Sequence, residues 1–184
     1  MTRSQKLLLY GAGGGVVLLF LLSRTKAGQV ATSKAKSLAF GVGDPTDKQI
    51  ATLAAQMQPI VREFVTRARA AGYPIVITSG RRTMEEQAAL YAKGRDADGS
   101  IVTNAQPGDS AHNFGLAIDF AFGNAVGRPT WPNDAPWAKV AAIGKALGLE
   151  WGGDWRTFKD QPHLELPTWK QARATFKATG KVVA

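Results

Sequence analysis

The chain contains only two histidines in 184 residues, and each lies close to a carboxylate in the sequence. His112 precedes Asp119 by seven residues in SAHNFGLAIDF, and His163 follows Asp160 by three residues in FKDQPHLEL. An aspartate within an apolar strand is costly unless a partner or a cation neutralises it. Two imidazoles and one carboxylate could supply the three protein ligands of a catalytic zinc site, which keeps a further position for water.

A second carboxylate beside such a site would complete a hydrolytic centre. Zinc lowers the pKa of its water toward neutrality, and a nearby carboxylate can accept the proton. These groups are the minimum set for zinc-assisted amide hydrolysis. The spacing alone leaves a structural interpretation open, because a lone histidine is often a capping or core residue and a lone aspartate is often a structural hydrogen-bonding group.

The elements that position these residues follow from the spacing of apolar side chains. Residues 46–72 have helical spacing, and Pro59 should kink or split that helix. In a further predicted helix, Thr83 is the cap, Glu86 completes a capping box and Gly94 ends the helix. Two other helices are predicted in APWAKVAAIGKALG and PTWKQARATFKATG, and two strands in YPIVITSG and GLAIDFAF. The second of these strands carries Asp119 and follows a loop that contains His112. This irregular order predicts a small α+β domain.

Three stretches follow one another along the chain: TSGRRTMEEQAALYAKGR, IVTNAQPGDSAHNFGLAIDF and GLEWGGDWRTFKDQPHLEL. Together they resemble the LAS group of zinc peptidases, the relatives of D-Ala-D-Ala carboxypeptidases and of the hedgehog domain. The resemblance is strongest to the L-alanyl-D-glutamate endopeptidases of phage endolysins and wall-lytic enzymes, and it covers about residues 45–170. It implies a small antiparallel sheet with helices packed on it, a Zn²⁺ cofactor and the peptidoglycan stem peptide as substrate.

The resemblance also implies roles for individual residues. The family's S-x-H-x6-D motif supplies two zinc ligands, which match His112 and Asp119 here. The third ligand of the family matches His163, and its catalytic base matches Asp160. The family's substrate-binding arginine, which could also polarise the scissile carbonyl, aligns with Arg82 in SGRRT. Arg81 stands where the family usually has an aromatic residue, which leaves open which arginine contacts substrate.

Other side chains near these motifs are further candidates for the site. Ser110 could orient His112 and contact substrate. Trp151 and Trp155 could line a substrate groove, with Trp155 the stronger candidate, although large aromatic residues also favour the core.

Two further carboxylates compete with Asp160 for the role of base. Asp154 lies in a glycine-rich loop and could simply cap a turn. Glu165 lies two residues beyond His163 and would share its face of a strand. Asp160 is preferred on the resemblance alone.

Positive charge is concentrated at the N-terminus. The chain has a formal net charge of +9, and residues 1–39 contain six basic residues and no acidic ones. Such asymmetry indicates a membrane or a polyanion as partner of the N-terminus. Nucleic acid is not expected, because no basic stripe interleaved with aromatic residues accompanies the charge. The absence of cysteine excludes disulfides and thiolate metal ligands.

Residues 7–22 form an uncharged, largely apolar run between Lys6 and Arg24. As a helix this run would be about 24 Å long, against a hydrocarbon core of roughly 30 Å. Four glycines weaken it, which resembles the signal-arrest segments of some phage lysis enzymes. We expect a membrane anchor or signal-arrest segment over 1–24, a flexible linker over 25–43 and the zinc peptidase domain over 44–184. Basic residues on both flanks do not favour an outward domain under the positive-inside rule.

The sequence therefore predicts a monomeric zinc peptidase that cleaves the L-Ala-D-Glu bond of the stem peptide. The enzyme would be tethered to the cytoplasmic membrane, with the catalytic domain outside it, and able to leave it. A D-Ala-D-Ala carboxypeptidase or dipeptidase with the same metal site is one alternative, which a closed pocket would favour. A non-catalytic wall-binding module is the other, and Asp160 argues against it because a binding module needs no base.

Overall fold

The computed structural model describes residues 44–124 and 127–182. The predicted anchor and linker, 1–24 and 25–43, lie outside the described residues. Within the described ranges, none of the helices combines the length and the apolar character needed to cross a bilayer. The α-helices there are α1 (Thr46–Thr52), α2 (Met57–Ala70), α3 (Met84–Ala92), α4 (Trp137–Lys145) and α5 (Trp169–Thr179), and the strands are β1 (Ile75–Ser79), β2 (Ala117–Gly123), β3 (Pro129–Thr130), β4 (Glu150–Trp151) and β5 (His163–Glu165).

The first predicted helix is divided in two, as Pro59 suggested. Helix α1 ends at Thr52 because Leu53 adopts an extended conformation, and α2 begins at Met57. The break therefore precedes the proline. Pro59 lies in the first turn of α2, where a backbone N–H would have no partner within the helix.

The strands form one antiparallel sheet in the order β1-β2-β5-β4, with β3 paired to β2. This confirms the predicted α+β class with a small antiparallel sheet. Helices α2 and α4 pack on one face, where Phe64 and Trp137 contact Phe120 of β2 with ring centroids 5.6 and 5.4 Å apart. Ile118 pairs with Leu164 on this core side, and both are fully buried.

The opposite face of the same two strands carries the polar residues of interest. Asp119 of β2 lies directly across from His163 of β5 in the strand register. Because successive side chains alternate between faces, both point away from the side occupied by Ile118 and Leu164. Helix α3 begins with the predicted capping box, in which Thr83 and Glu86 exchange hydrogen bonds.

Two short elements near the predicted ligands were not anticipated. His112, predicted in a loop, lies instead in a 3₁₀ helix over Ala111–Phe114, which ends at Gly115 in a left-handed conformation (φ 67°). His163 begins β5, a strand of only three residues. Elements this short do not span enough residues to show a periodic pattern.

The C-terminal helix α5 braces the turn that carries His112. Phe176 packs edge-on against Phe114, with ring centroids 6.1 Å apart. Arg173 and Lys177 both form ion pairs with Asp109, at 2.7 and 3.0 Å. Helix α5 therefore fixes the position of the segment from Asp109 to Phe114, which contains Ser110 and His112.

Candidate metal centre and groove

Three predicted ligands converge on the polar face of the sheet. The Nε2 atom of His112 lies 3.3 Å from Oδ1 of Asp119, and the Nδ1 atom of His163 lies 3.2 Å from the same oxygen. One donor atom from each residue falls within 4.8 Å of the others, so the group could hold a metal ion. Both histidines are buried, at 3% and 5% exposure, which limits their movement.

The ring of His112 is oriented by the backbone that follows β1. Its Nδ1 atom contacts the carbonyl oxygen of Gly80 at 2.7 Å. The pairing of β1 with β2 is irregular between Ile77 and Ser79, a bulge of the kind that redirects a strand end beside active sites. Ser110 was expected to orient His112, but the contact at Nδ1 comes from Gly80, and Ser110 instead lines the groove.

The ring of His163 is held on its other edge by a carboxylate. Its Nε2 atom lies 3.0 Å from Oε2 of Glu165, which is also buried. As predicted, Glu165 and His163 share a face of the strand, since they are two residues apart on β5. We use "groove floor" for His112, Asp119, His163 and Glu165.

The two candidate tryptophans have different positions. Trp155 packs against the His163 ring, with centroids 5.1 Å apart, and lines the groove as predicted. Trp151 packs against the hydrophobic core, and its Nε1 donates a hydrogen bond to the carbonyl of Gln161. The expectation that at least one of the two would be a core residue is confirmed in part, since Trp151 is half-buried.

Charge interactions within the groove floor shift two pKa values strongly. Burial alone would raise the pKa of Asp119, but the charges and hydrogen bonds of His112 and His163 hold it well below its usual range. Burial would lower the pKa of His163, but its hydrogen bonds to Asp119 and Glu165 raise it to about 9. A metal ion at this site would have to displace the Nδ1 proton of His163, so metal binding should release a proton.

Arg82 enters the site from the loop before α3. Its Nη1 donates to Oε1 of Gln87 at 2.9 Å, and its Nη2 lies 3.8 Å from Oδ2 of Asp119. Gln87 is fully buried and also donates to the carbonyl of Ala105 at 2.7 Å. Gln87 therefore fixes the guanidinium group. Arg81 is exposed, and its side chain has no hydrogen-bond or ionic partner among the described residues.

The groove above these groups has a volume of about 580 Å³, and Asp160 lines it together with Arg82 and the predicted ligands. Burial raises the pKa of Asp160, and the charge of Asp119 raises it further, while His163, His112 and Arg82 partly offset the shift. Asp154 is exposed, forms an ion pair with Lys145 and does not line the groove.

Gly152 allows Asp160 and His163 to come together. A Cβ atom at position 152 would lie 2.5 Å from the carbonyl oxygen of Asp160 and 3.1 Å from Cβ of His163. The backbone N–H of Asp160 also donates to the carbonyl of Gly152 at 3.1 Å. The position of the second 3₁₀ helix, over Gly152–Asp154, is thus coupled to the placement of Asp160.

The upper edge of the groove is apolar and exposed. Val102 and Phe158, which we call the groove rim, are 49% and 53% exposed and both line the cavity. Phe158 has φ 47°, and among the described residues it is the only non-glycine residue with a positive φ. Backbone strain of this kind is often found at functional sites.

Sequence reasoning missed the residues that support the site. Asn113, which is buried, donates to the carbonyls of Arg82 and Thr83 and accepts from the N–H of Gly108. Gln87 was also missed. Both residues act through tertiary contacts between segments distant in sequence, and neither belongs to a pattern that local spacing could reveal.

The chain is similar to known peptidases of the bacterial cell wall. A family model described as D-alanyl-D-alanine carboxypeptidase matches residues 103–166. The chain is 44% identical over 122 residues to the peptidoglycan L-alanyl-D-glutamate endopeptidase CwlK of Bacillus subtilis (strain 168), covering 60% of this chain and 73% of the relative. It is 34% identical over 116 residues to an L-alanyl-D-glutamate peptidase of a Listeria phage, covering 62% of this chain and 38% of that protein.

A solved structure shares the fold at lower sequence similarity. The crystal structure of the L-Ala D-Glu endopeptidase ChiX of Serratia marcescens superposes with a TM-score of 0.55 at 20% identity. The match covers 74% of this chain and 96% of that structure. This likeness supports the predicted LAS-type architecture.

Proposed function

Because the chain belongs to the family of peptidoglycan L-alanyl-D-glutamate endopeptidases, which are zinc peptidases, we propose that it hydrolyses the L-Ala-D-Glu amide bond of the stem peptide. The observation that carries the proposal is the convergence of His112, Asp119 and His163 in one groove with Asp160 on its wall. A wall-binding module would not need a buried carboxylate poised beside a metal site. All these groups come from one chain, which supports action as a monomer.

The donor set fits the zinc ion on which this family depends. His112, Asp119 and His163 would hold it through two imidazole nitrogens and one carboxylate oxygen, a ligand set typical of catalytic zinc. When bound, zinc supplies a Lewis acid that lowers the pKa of water and polarises a carbonyl. Proton transfer and substrate binding are the roles of the side chains around the metal site.

Asp160 is the proposed proton carrier of the reaction. It accepts the proton from the attacking water and returns it to the nitrogen of the leaving amine. Its raised pKa suits a group that must both accept and release a proton. Arg82 donates hydrogen bonds to the substrate, either to a carboxylate or to the carbonyl oxygen where negative charge develops. Ser110 and Trp155 line the same groove and are proposed to contact the peptide.

The bond that is cut can be identified directly by mass spectrometry of purified peptidoglycan digested with the full-length chain. Cleavage between L-Ala and D-Glu should produce peptides with a new amino group on D-Glu and leave a carboxylate on L-Ala. Release of single D-Ala residues instead would assign the chain to the D,D-carboxypeptidase alternative. Intact peptidoglycan after incubation with zinc-loaded protein would contradict both activities.

We further propose that residues 7–22 attach the enzyme to the cytoplasmic membrane with its catalytic domain outside. The substrate lies outside that membrane, and this run is the longest uncharged apolar stretch of the chain. Gly13, Gly14 and Gly15 reduce its apolar area, so we expect attachment to be reversible. Leu substitutions at these three positions should retain the protein in the membrane fraction even after the membrane potential is collapsed. Wholly cytosolic protein before and after that treatment would contradict export.

A further inference from the structure

Glu165 is a buried carboxylate that the proposed reaction does not use. It lies 5% exposed on β5, and its Oε2 atom is 3.0 Å from Nε2 of His163. Among the described residues, His163 is the only hydrogen-bond partner of the Glu165 carboxylate. Burying a carboxylate without a hydrogen-bond donor destabilises the folded state, because the group loses its contacts with water. The contact with His163 must therefore offset the free energy of burying Glu165.

The two histidines of the groove floor are held on opposite ring nitrogens. In His112 the Nδ1 atom contacts the carbonyl of Gly80, an acceptor only, so Nδ1 carries the proton and Nε2 faces Asp119. In His163 the Nε2 atom contacts Glu165, so Nδ1 faces Asp119. A neutral imidazole has one protonated nitrogen and one nitrogen with a free lone pair. The nitrogen beside a hydrogen-bond acceptor keeps the proton, so the other nitrogen is free to bind a metal.

We propose that Glu165 is a positioning residue that keeps the proton of His163 on Nε2 and thereby presents Nδ1 to the metal. The inference rests on the proposed function, because it concerns the same zinc site. The two histidines would then bind zinc as opposite tautomers, His112 through Nε2 and His163 through Nδ1. A carboxylate that accepts from the remote N–H of a ligand histidine also fixes the ring and increases its basicity.

The geometry argues against two other roles for Glu165. It is not a metal ligand in the donor group, which comprises His112, Asp119 and His163 among the described residues. It is also poorly placed to act as the base, because its carboxylate lies at the ring edge of His163 that faces away from Asp119. Both Glu165 and Asp160 line the groove, but the side chain of Asp160 forms no hydrogen bond with either histidine.

The tautomers can be read from the unmodified full-length chain by two-bond ¹H–¹⁵N correlation spectra of its imidazole rings. Because the chain contains only two histidines, the zinc-loaded protein should show two ring patterns, one Nδ1-protonated and one Nε2-protonated. Two rings with the same protonated nitrogen would overturn the inference while leaving the proposed function intact. Failure of the chain to bind zinc at all, by elemental analysis, would overturn both.

Variants test whether Glu165 strengthens metal binding. Glu165→Leu removes the acceptor and should weaken zinc affinity by about 10–100-fold, measured by competition with a chromophoric chelator. Glu165→Gln retains an acceptor oxygen and should lose less. The matched control is Glu150→Gln, because Glu150 pairs with Glu165 across the sheet but forms an ion pair with Lys170 at 3.0 Å and touches neither histidine.

The ranking of these variants decides the outcome. Zinc affinity should fall in the order control, Glu165→Gln, Glu165→Leu, while circular dichroism of the zinc-free proteins stays unchanged. Wild-type zinc affinity in a folded Glu165→Leu protein would overturn the inference. If that variant does not fold, the affinity of Glu165→Gln and the tautomer pattern of the unmodified chain still decide it.

Discussion

The groove floor and the groove rim lie within one cavity but are built differently. The floor residues are buried or half-buried, come mainly from paired strands, and are linked to one another at 3.0 to 3.3 Å. The rim residues, Val102 and Phe158, lie in irregular segments with about half of their surface exposed. Paired strands thus carry most of the groups that need accurate placement, whereas the rim is built from exposed side chains in irregular segments.

This difference implies a gradient in the effect of substitutions. We expect changes on the floor to remove chemistry that no neighbour can replace, and changes at the rim to remove at most one of several contacts with the peptide.

The largest loss is expected from His163→Ala, which removes one of three metal ligands. Two remaining donors should not retain zinc through dialysis, and activity on peptidoglycan should fall to the level of a control without enzyme. Elemental analysis of the purified variant measures the metal. A full equivalent of zinc in this variant would show that the ligand set is wrong.

Asp160→Asn is expected to keep both the fold and the metal but to lower turnover by about 10²–10⁴-fold, the usual contribution of a positioned acid-base group. The matched control is Asp154→Asn, because Asp154 is an exposed carboxylate six residues away that does not line the groove. Rates of stem-peptide hydrolysis measure both. Equal rates in the two variants would remove Asp160 from the mechanism.

At the edge of the floor, Arg82→Lys should lower kcat by up to about 10²–10³-fold, the range for loss of an oxyanion donor. Lysine cannot reach both Gln87 and the site, because it replaces a planar fork by a point charge. Arg81→Tyr should be nearly neutral, since the Arg81 side chain is exposed. A wall-digestion assay that ranks these variants in the reverse order would exchange the two roles.

The smallest effect is expected at the rim, where Phe158→Ala and Phe158→Gly form a matched pair. Both remove the ring and should raise KM by less than about tenfold, since a peripheral contact contributes about 1 kcal/mol or less. Glycine adopts a positive φ without steric strain, whereas alanine does not. The glycine variant should therefore have a free energy of unfolding about 1 kcal/mol higher than that of the alanine variant. Thermal unfolding and steady-state kinetics separate the two effects.

The sequence was most informative about the groove floor. With two histidines available, the motif resemblance predicted which residues would come together, and the strand register places Asp119 opposite His163. Helix α2 was predictable because Met57, Val61 and Phe64 lie on one periodic apolar face that is buried against the core. Thr83 and Glu86 were predictable because a capping box is a local pattern.

The supporting residues could not be predicted for a physical reason. Gln87 has the appearance of an ordinary polar helix residue, and its burial against Arg82 depends on how α3 meets the segment at Ala105. Asn113 similarly joins the segment at Arg82 and Thr83 to the turn at Gly108. The predicted membrane anchor stays a prediction, because it lies outside the described residues.

Gly152 limits which amino-acid substitutions this protein can tolerate. The residue contributes no chemistry, yet a side chain there would push against the backbone of Asp160 and the Cβ of His163. Substitutions at position 152 should therefore reduce activity as substitutions in the active site do. A population of variants selected for wall lysis would keep glycine at position 152, whereas one selected only for solubility would accumulate other residues there. The proposed proton carrier, Asp160, and the proposed metal ligand His163 thus both depend on the absence of a side chain at position 152.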